Sequence, residues 1–267
     1  MLAATLLPRV LLACAAMVVV AATAGAEPLS ADRPDFLTGP DVVGKGRYQI
    51  ETGPQVERGE AAGLHTRTVT LPALLRIGIS DRVELRFETD GRIRSRETDL
   101  ATQTTSGTNG WGNGGIGVKW KTHDGDPARG TPDIGWVVQA TAATGSAAFR
   151  GHGLRPAVLG AFSWALPKDA GFAVTAGITR DHSGTSRFTS GLLGAGLSKG
   201  INHRLTFGVE VVAQQLAGKR HGGNVVTTDL SATYAITDDL QIDALVGRGL
   251  SNSAPDFFFT VGITARF

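Results

Sequence analysis

The final eleven residues, Phe257 to Phe267 (FFFTVGITARF), alternate strictly in character. Side chains of an extended chain point to opposite faces in turn. Phe257, Phe259, Val261, Ile263, Ala265 and Phe267 therefore share one face, and Thr260, Gly262, Thr264 and Arg266 the other. This period of two recurs in about twelve segments, so the chain is built from strands. After residue 26 no stretch is apolar for 18 residues, and any passage through a membrane must be made by strands of a closed barrel.

In the first segment, Arg47 to Glu57, the residues Arg47, Gln49, Glu51, Gln55 and Glu57 oppose Tyr48, Ile50 and Val56. The second, Arg67 to Ile79, turns Val69, Leu71, Ala73, Leu75 and Ile77 outward, which leaves Arg76 facing in. The third places Glu84, Arg86, Glu88, Asp90, Arg92 and Arg94 on one face, opposite Val83, Leu85, Phe87 and Ile93. Such a row cannot face lipid, because each basic residue near the midplane costs roughly 2–4 kcal/mol there, so it predicts a polar interior. Lys119 and Lys121 oppose Ile116, Val118 and Trp120 in the fourth, and Gln139 and Thr141 oppose Ile134, Trp136 and Val138 in the fifth. The sixth to eighth segments fall at about Arg155–Leu166, Phe172–Asp181 and Arg187–Lys199, the last without a clear facing. Glu210, Asp229 and Asp243 lie on the polar faces of the next three, and Arg266 on that of the twelfth.

Connections alternate in length, as an up-and-down meander requires. Short ones are 80–82, 167–171, 200–203 and 237–239; long ones are Ser95 to Gly110, Gly145 to Gly153, Ala217 to Asn224 and Gly249 to Pro255. An even strand count with a periplasmic C-terminus puts the long group outside the cell. One link departs from the alternation: His123 to Thr131 is long yet periplasmic.

At the other end, Arg9, the apolar run Val10 to Val20, and Ala24-Gly25-Ala26 have the form of a secretory signal peptide over residues 1–26. Cleavage after Ala26 removes Cys14, the only cysteine, so no disulfide is expected in the exported chain. Residues 27–43 form a tail, with Asp32, Arg33 and Asp35, long enough to plug the periplasmic mouth of a barrel over 44–267. With 36 glycines, 19% charged residues and a formal net charge of +2, the chain suits strands and turns and lacks the basic density of a nucleic-acid partner.

Motifs that mimic chemistry fail on context. Gly110-x-Gly112-x-x-Gly115 has dinucleotide-binding spacing, but a polar stretch precedes it and a strand follows. Asp181-His182-Ser183 holds residue types used in nucleophilic catalysis, yet neighbours on a strand point apart. Histidines 65, 123, 152, 182, 203 and 221 have no metal-ligand spacing. No catalytic, cofactor or metal site is expected.

Three stretches near the ends and early strands carry a wider resemblance: Ala31-Asp32-Arg33-Pro34-Asp35-Phe36, Asp81-Arg82-Val83-Glu84-Leu85-Arg86 and Gly115-Ile116-Gly117-Val118-Lys119. With Gln241-Ile242-Asp243, Gly249-Leu250-Ser251 and Pro255-Asp256-Phe257 to Phe267, they resemble the outer-membrane, transporter-like family named for a MetA pathway of phenol degradation. Ala142-Ala143-Thr144-Gly145 departs from the Leu-Pro-Thr-Gly turn that family favours. The alternation gives a single up-and-down antiparallel transmembrane barrel of twelve strands, with ten or fourteen as alternatives. The resemblance implies that such a barrel moves small solutes, aromatic or hydrophobic ones among them, across the outer membrane, and passive or facilitated diffusion is the expected mode. The terminal strand resembles the signal read by the barrel-assembly machinery, and outer-membrane lipid is the other expected partner. The expected lining is Glu51, Arg76, Glu84, Arg86, Glu88, Lys119, Glu210, Asp229, Asp243 and Arg266; the alternatives are a sealed structural or recognition barrel and, third, a lipid-modifying enzyme.

Overall fold

In the computed structural model, which describes residues 29–183, 186–215 and 223–267, fourteen strand segments follow one another without a helix among the described residues. They are Tyr48–Thr52 (β1), Gln55–Ala61 (β2), Leu64–Gly78 (β3), Val83–Asp99 (β4), Thr105–Trp111 (β5), Gly114–His123 (β6) and Asp133–Ala142 (β7). Arg155–Leu166 (β8), Ala170–Ser183 (β9), Ser186–Gly200 (β10), Leu205–Gln214 (β11), Val225–Thr237 (β12), Leu240–Gly249 (β13) and Phe257–Arg266 (β14) complete the order. The expected signal segment and Cys14 lie outside the described residues.

The fourteen segments make twelve barrel strands. Both β1 and β2 pair with β14 on one side and β3 on the other, so they are one strand broken at Gly53-Pro54. Likewise β5 and β6 both pair with β4 and are one strand broken at Gly112-Asn113. Every neighbouring pair is antiparallel, and β1 against β14 closes the barrel, which removes the sheet edge. Phe267 seals that seam by exchanging backbone hydrogen bonds with Tyr48 at 2.8 and 3.1 Å, and the two rings stack with centroids 5.0 Å apart.

Alternation sets the two surfaces. Ile116, Val118, Val138, Leu193, Leu197, Phe207, Leu230 and Val261 are exposed on the outside, and Leu193 and Leu197 settle the facing of β10. Near the periplasmic end Trp120 lies opposite Trp136, and Trp136, Phe162, Trp164 and Phe172 follow in ring contact, the first pair edge-on, the second stacked and the third tilted, as in the aromatic girdle of a membrane barrel. The inner face carries Gln49, Glu51, Arg76, Glu84, Lys119 and Thr264, all without water-exposed surface to speak of.

Two expectations are corrected. The third segment does not keep one facing: at Gly91, with φ +64°, a bulge sets Gly91 and Arg92 against the single residue Leu71. The extra residue reverses parity, so Ile93 turns inward while Arg92 and Arg94 are exposed with the outer face. Only Gly fits there, since a Cβ would strike the Leu71 carbonyl. The stretch Ser95 to Gly110 is a hairpin and not an irregular loop: β4 and β5 pair from Arg92↔Trp111 to Thr98↔Thr105, and Asp99 Oδ1 accepts the Ala101 and Thr102 amides at the tip. The long periplasmic link from His123 is pinched by an Asp126–Thr131 bridge, and the count of twelve stands.

Candidate functional site

The tail runs through the barrel. Residues 29–43 adopt no strand and form no ladder with the wall; their backbone groups go instead to inward side chains. The Asp32 and Arg33 amides both donate to Glu51 Oε2 at 3.0 Å, the Phe36 amide to Glu210 Oε2 at 3.0 Å and the Val43 amide to Glu84 Oε2 at 2.9 Å. Thr175 Oγ1 takes the Thr38 amide and donates to the Thr38 carbonyl, both at 3.2 Å. Buried backbone polar groups require partners, and the wall supplies them around its circumference.

Asp32 enters an ion network on one side. The Arg76 guanidinium grips Glu84 through Nε at 2.8 Å and Nη2 at 3.0 Å, and reaches Glu51 through Nη1 at 3.1 Å. Its remaining donors go to the tail carbonyls of Ser30 and Asp41, each at 2.7 Å. Arg86 bridges Glu84 at 3.0 Å and Asp32 at 2.6 Å, and Lys119 Nζ holds Asp32 at 2.9 Å. Arg76, Arg86 and Lys119 are thus balanced by Glu51, Glu84 and Asp32, of which the tail contributes one. Full burial of such groups is tolerable only with that pairing.

The opposite side is acidic. Glu210, Asp229 and Asp243 all face in and are buried. Arg33 of the tail reaches Asp243 at 3.2 Å and Thr260 Oγ1 at 2.7 Å, whereas neither Asp229 oxygen has a hydrogen-bond partner among the described residues. Asp35 lies within electrostatic reach of Glu210 and Asp229. Phe36 packs edge-on against Phe258, with centroids 5.4 Å apart. Two wall glycines make room: a Cβ on Gly262 would collide with the Arg33 guanidinium, and one on Gly135 would lie 2.7 Å from the Pro40 carbonyl oxygen.

Beyond the tail lies a cavity of about 270 Å³, lined by Arg33, Glu51, Glu88, Asp90, Asn113 and Arg155 among others. Glu88 accepts hydrogen bonds from Gln139 and Thr141 there, each at 3.3 Å. Arg266 stands apart from the central network, at the periplasmic mouth, where it binds Asp239 at 2.7 Å beside Arg47. Lys121 holds Asp41, Asp124 and Asp133 at the same mouth. In the periplasmic turn, hydrogen bonds from Arg82 and Lys121 keep the Asp124 carboxyl below the usual aspartate range.

Of the expected lining, nine residues therefore lie around the tail or its cavity, and Arg266 lies at the mouth. The expected lining omits Gln49, Lys121 and Thr260, which have the polar parity of their strands, and also Thr175 and Asp41. Lys121 shares the parity of Lys119 and was readable as its inward neighbour; a neutral Thr175 among small and apolar residues gives no such signal. Among the described residues no group of His, Cys, Asp and Glu could hold a metal ion.

The sequence profile of the family described as "Putative MetA-pathway of phenol degradation" matches residues 31–267. No curated protein matches the chain. Among solved structures, an outer membrane channel from Pseudomonas putida F1 superposes with a TM-score of 0.60 at 15% identity, covering 85% of this chain and 98% of that one. The NanC porin gives 0.51 at 12% identity over 82% and 98%. The translocator domain of autotransporter NalP from Neisseria meningitidis gives 0.51 at 14% identity over 84% and 89%. At these identities the likeness is one of fold.

Proposed function

The chain belongs to the family described as "Putative MetA-pathway of phenol degradation", and from that premise we propose that it is an outer-membrane diffusion channel whose lumen is closed by its own tail. The solutes are small, with aromatic or hydrophobic compounds among them, and cross by passive or facilitated diffusion. In this reading residues 1–26 direct export, residues 27–43 are the plug, and residues 44–267 form the wall. Glu51, Arg76, Glu84, Arg86, Glu88, Lys119, Glu210, Asp229 and Asp243 line the path, and Arg266 guards its periplasmic end. The terminal strand to Phe267 engages the barrel-assembly machinery. No residue is given a catalytic part.

One observation carries the reading: the tail is held by side-chain hydrogen bonds and ion pairs and makes no ladder with the wall. Contacts of that kind can be released without opening the barrel, whose own strands pair all the way round. A sealed structural barrel is the competing reading, favoured by the balanced network around Arg76. Swelling of proteoliposomes in isotonic solutions of small neutral solutes separates the two. A channel swells the vesicles, faster once residues 27–40 are deleted; no swelling by either form points to the sealed barrel.

A further inference from the structure

A second charged feature lies on the outer surface. The Gly91 bulge turns Arg92, Arg94 and Arg96 outward along β4. Strand register then sets Arg58 of β2 opposite Arg67 of β3, and Arg67 opposite Arg96. Arg58 is also opposite Phe257, an exposed residue of the outer face, which fixes the side on which this row lies. All five arginines are exposed. Among the described residues no carboxylate lies within ion-pair distance of Arg58, Arg67, Arg94 or Arg96. Like charges set directly opposite one another destabilise a sheet. Three guanidiniums across three adjacent strands, without a counter-charge from the chain, call for an anion from elsewhere.

Their height in the membrane says which anion. On β4, Val83 begins the apolar outer face, and Arg92 is nine residues on; at about 3.3 Å per residue and a tilt of about 40° that is roughly 23 Å along the membrane normal. The apolar band of an outer-membrane barrel is about 25 Å tall. On β3, Ile77 to Arg67 spans a similar height. Trp111, directly opposite Arg92 with the guanidinium 6.0 Å from its ring centroid, is an exposed tryptophan of the kind that marks the interface. The arginines therefore start at the outer interface and continue into the headgroup layer.

We propose that Arg58, Arg67, Arg94 and Arg96 form a docking face for the phosphate groups of an outer-leaflet glycolipid, a phosphorylated glucosamine headgroup of the lipopolysaccharide type. Guanidinium forks match phosphate oxygens in pairs. Several at one height suit a headgroup bearing two phosphomonoesters, while the aliphatic stems lie along the apolar wall. The inference rests on placement of the barrel in the outer membrane and is independent of whether the lumen conducts.

The test uses protein purified from outer membranes in detergent. It is delipidated and titrated with bis-phosphorylated lipid A, dephosphorylated lipid A, phosphatidylglycerol and inorganic phosphate, with bound lipid read by native mass spectrometry and the thermal unfolding midpoint alongside. Bis-phosphorylated lipid A is expected to stay bound and raise the midpoint, and the variant R67Q/R94Q/R96Q to bind it at least about tenfold more weakly. Without lipid the variant should unfold at the same temperature or higher, since three mutually repelling charges have gone. If it fails to assemble in the outer membrane, Arg94→Gln alone carries the comparison. Equal retention of dephosphorylated lipid A, equal stabilisation by inorganic phosphate or phosphatidylglycerol, or undiminished binding by the variant overturns the proposal.

Discussion

The Asp32 carboxylate of the tail and the Lys119 ammonium of the wall meet at 2.9 Å, on residues 87 positions apart in the chain. Arg86 reaches the same carboxylate, so one tail residue answers two wall cations. Removing Asp32 leaves the wall with Arg76, Arg86 and Lys119 against Glu51 and Glu84, one positive charge in excess and buried. An uncompensated charge in such a place costs about 3–5 kcal/mol while the tail keeps it dry, and release of the tail, which lets water reach the cations, relieves that cost.

Asp32→Asn should accordingly loosen the tail without unfolding the barrel. The expected result is faster proteolysis within residues 29–43 of the folded protein, with the unfolding transition of the barrel little changed. Equal resistance to protease in variant and parent would count against the role given to this pair.

Arg76→Met strikes both partners of the network. Glu51 and Glu84 then face each other without their shared cation, and the barrel should lose about 3–5 kcal/mol, measured by urea unfolding in micelles. Adding Glu51→Gln, which leaves Arg86 and Lys119 against Glu84 and Asp32, should recover part of the loss, because the buried charges balance again.

Gly135→Val tests whether the wall is cut to fit the tail. The new side chain meets the Pro40 backbone, and backbone cannot swing aside as a side-chain tip can. Since β-branched residues suit strands, the variant should fold and yet conduct more than the parent in a planar bilayer. An unchanged conductance with the tail still protease-resistant would mean that the wall yields instead.

The acidic wall should set selectivity once the tail is gone. Neutralising Glu210, Asp229 and Asp243 in a tail-deleted chain should move the reversal potential toward anion preference, because Arg86 and Lys119 then dominate the path. A reversal potential that stays put would place the ion path elsewhere.

Much of this was legible in the sequence, for a physical reason. Period-two alternation records which face of each strand meets lipid, so Glu51, Arg76, Glu84, Arg86 and Lys119 could be assigned inward from parity alone. Parity fails at a bulge: counting by twos from Glu84 carries Arg92 and Arg94 inward, and one glycine at positive φ reverses them. The hairpin from Ser95 to Gly110 has the sequence of a loop because both of its faces meet water, which erases the alternation. Tail contacts such as Thr38 with Thr175 bring together residues 137 apart, and no local pattern encodes them.

Whether the tail closes a conducting lumen is read by single-channel recording. Intact protein and a chain lacking residues 27–40, which keeps the Val43 amide on Glu84, are compared in planar bilayers. The intact chain should give small or intermittent steps, and the deletion larger, steady ones. Identical conductance in both, or silence from both at every voltage, would contradict closure of a conducting lumen by the tail.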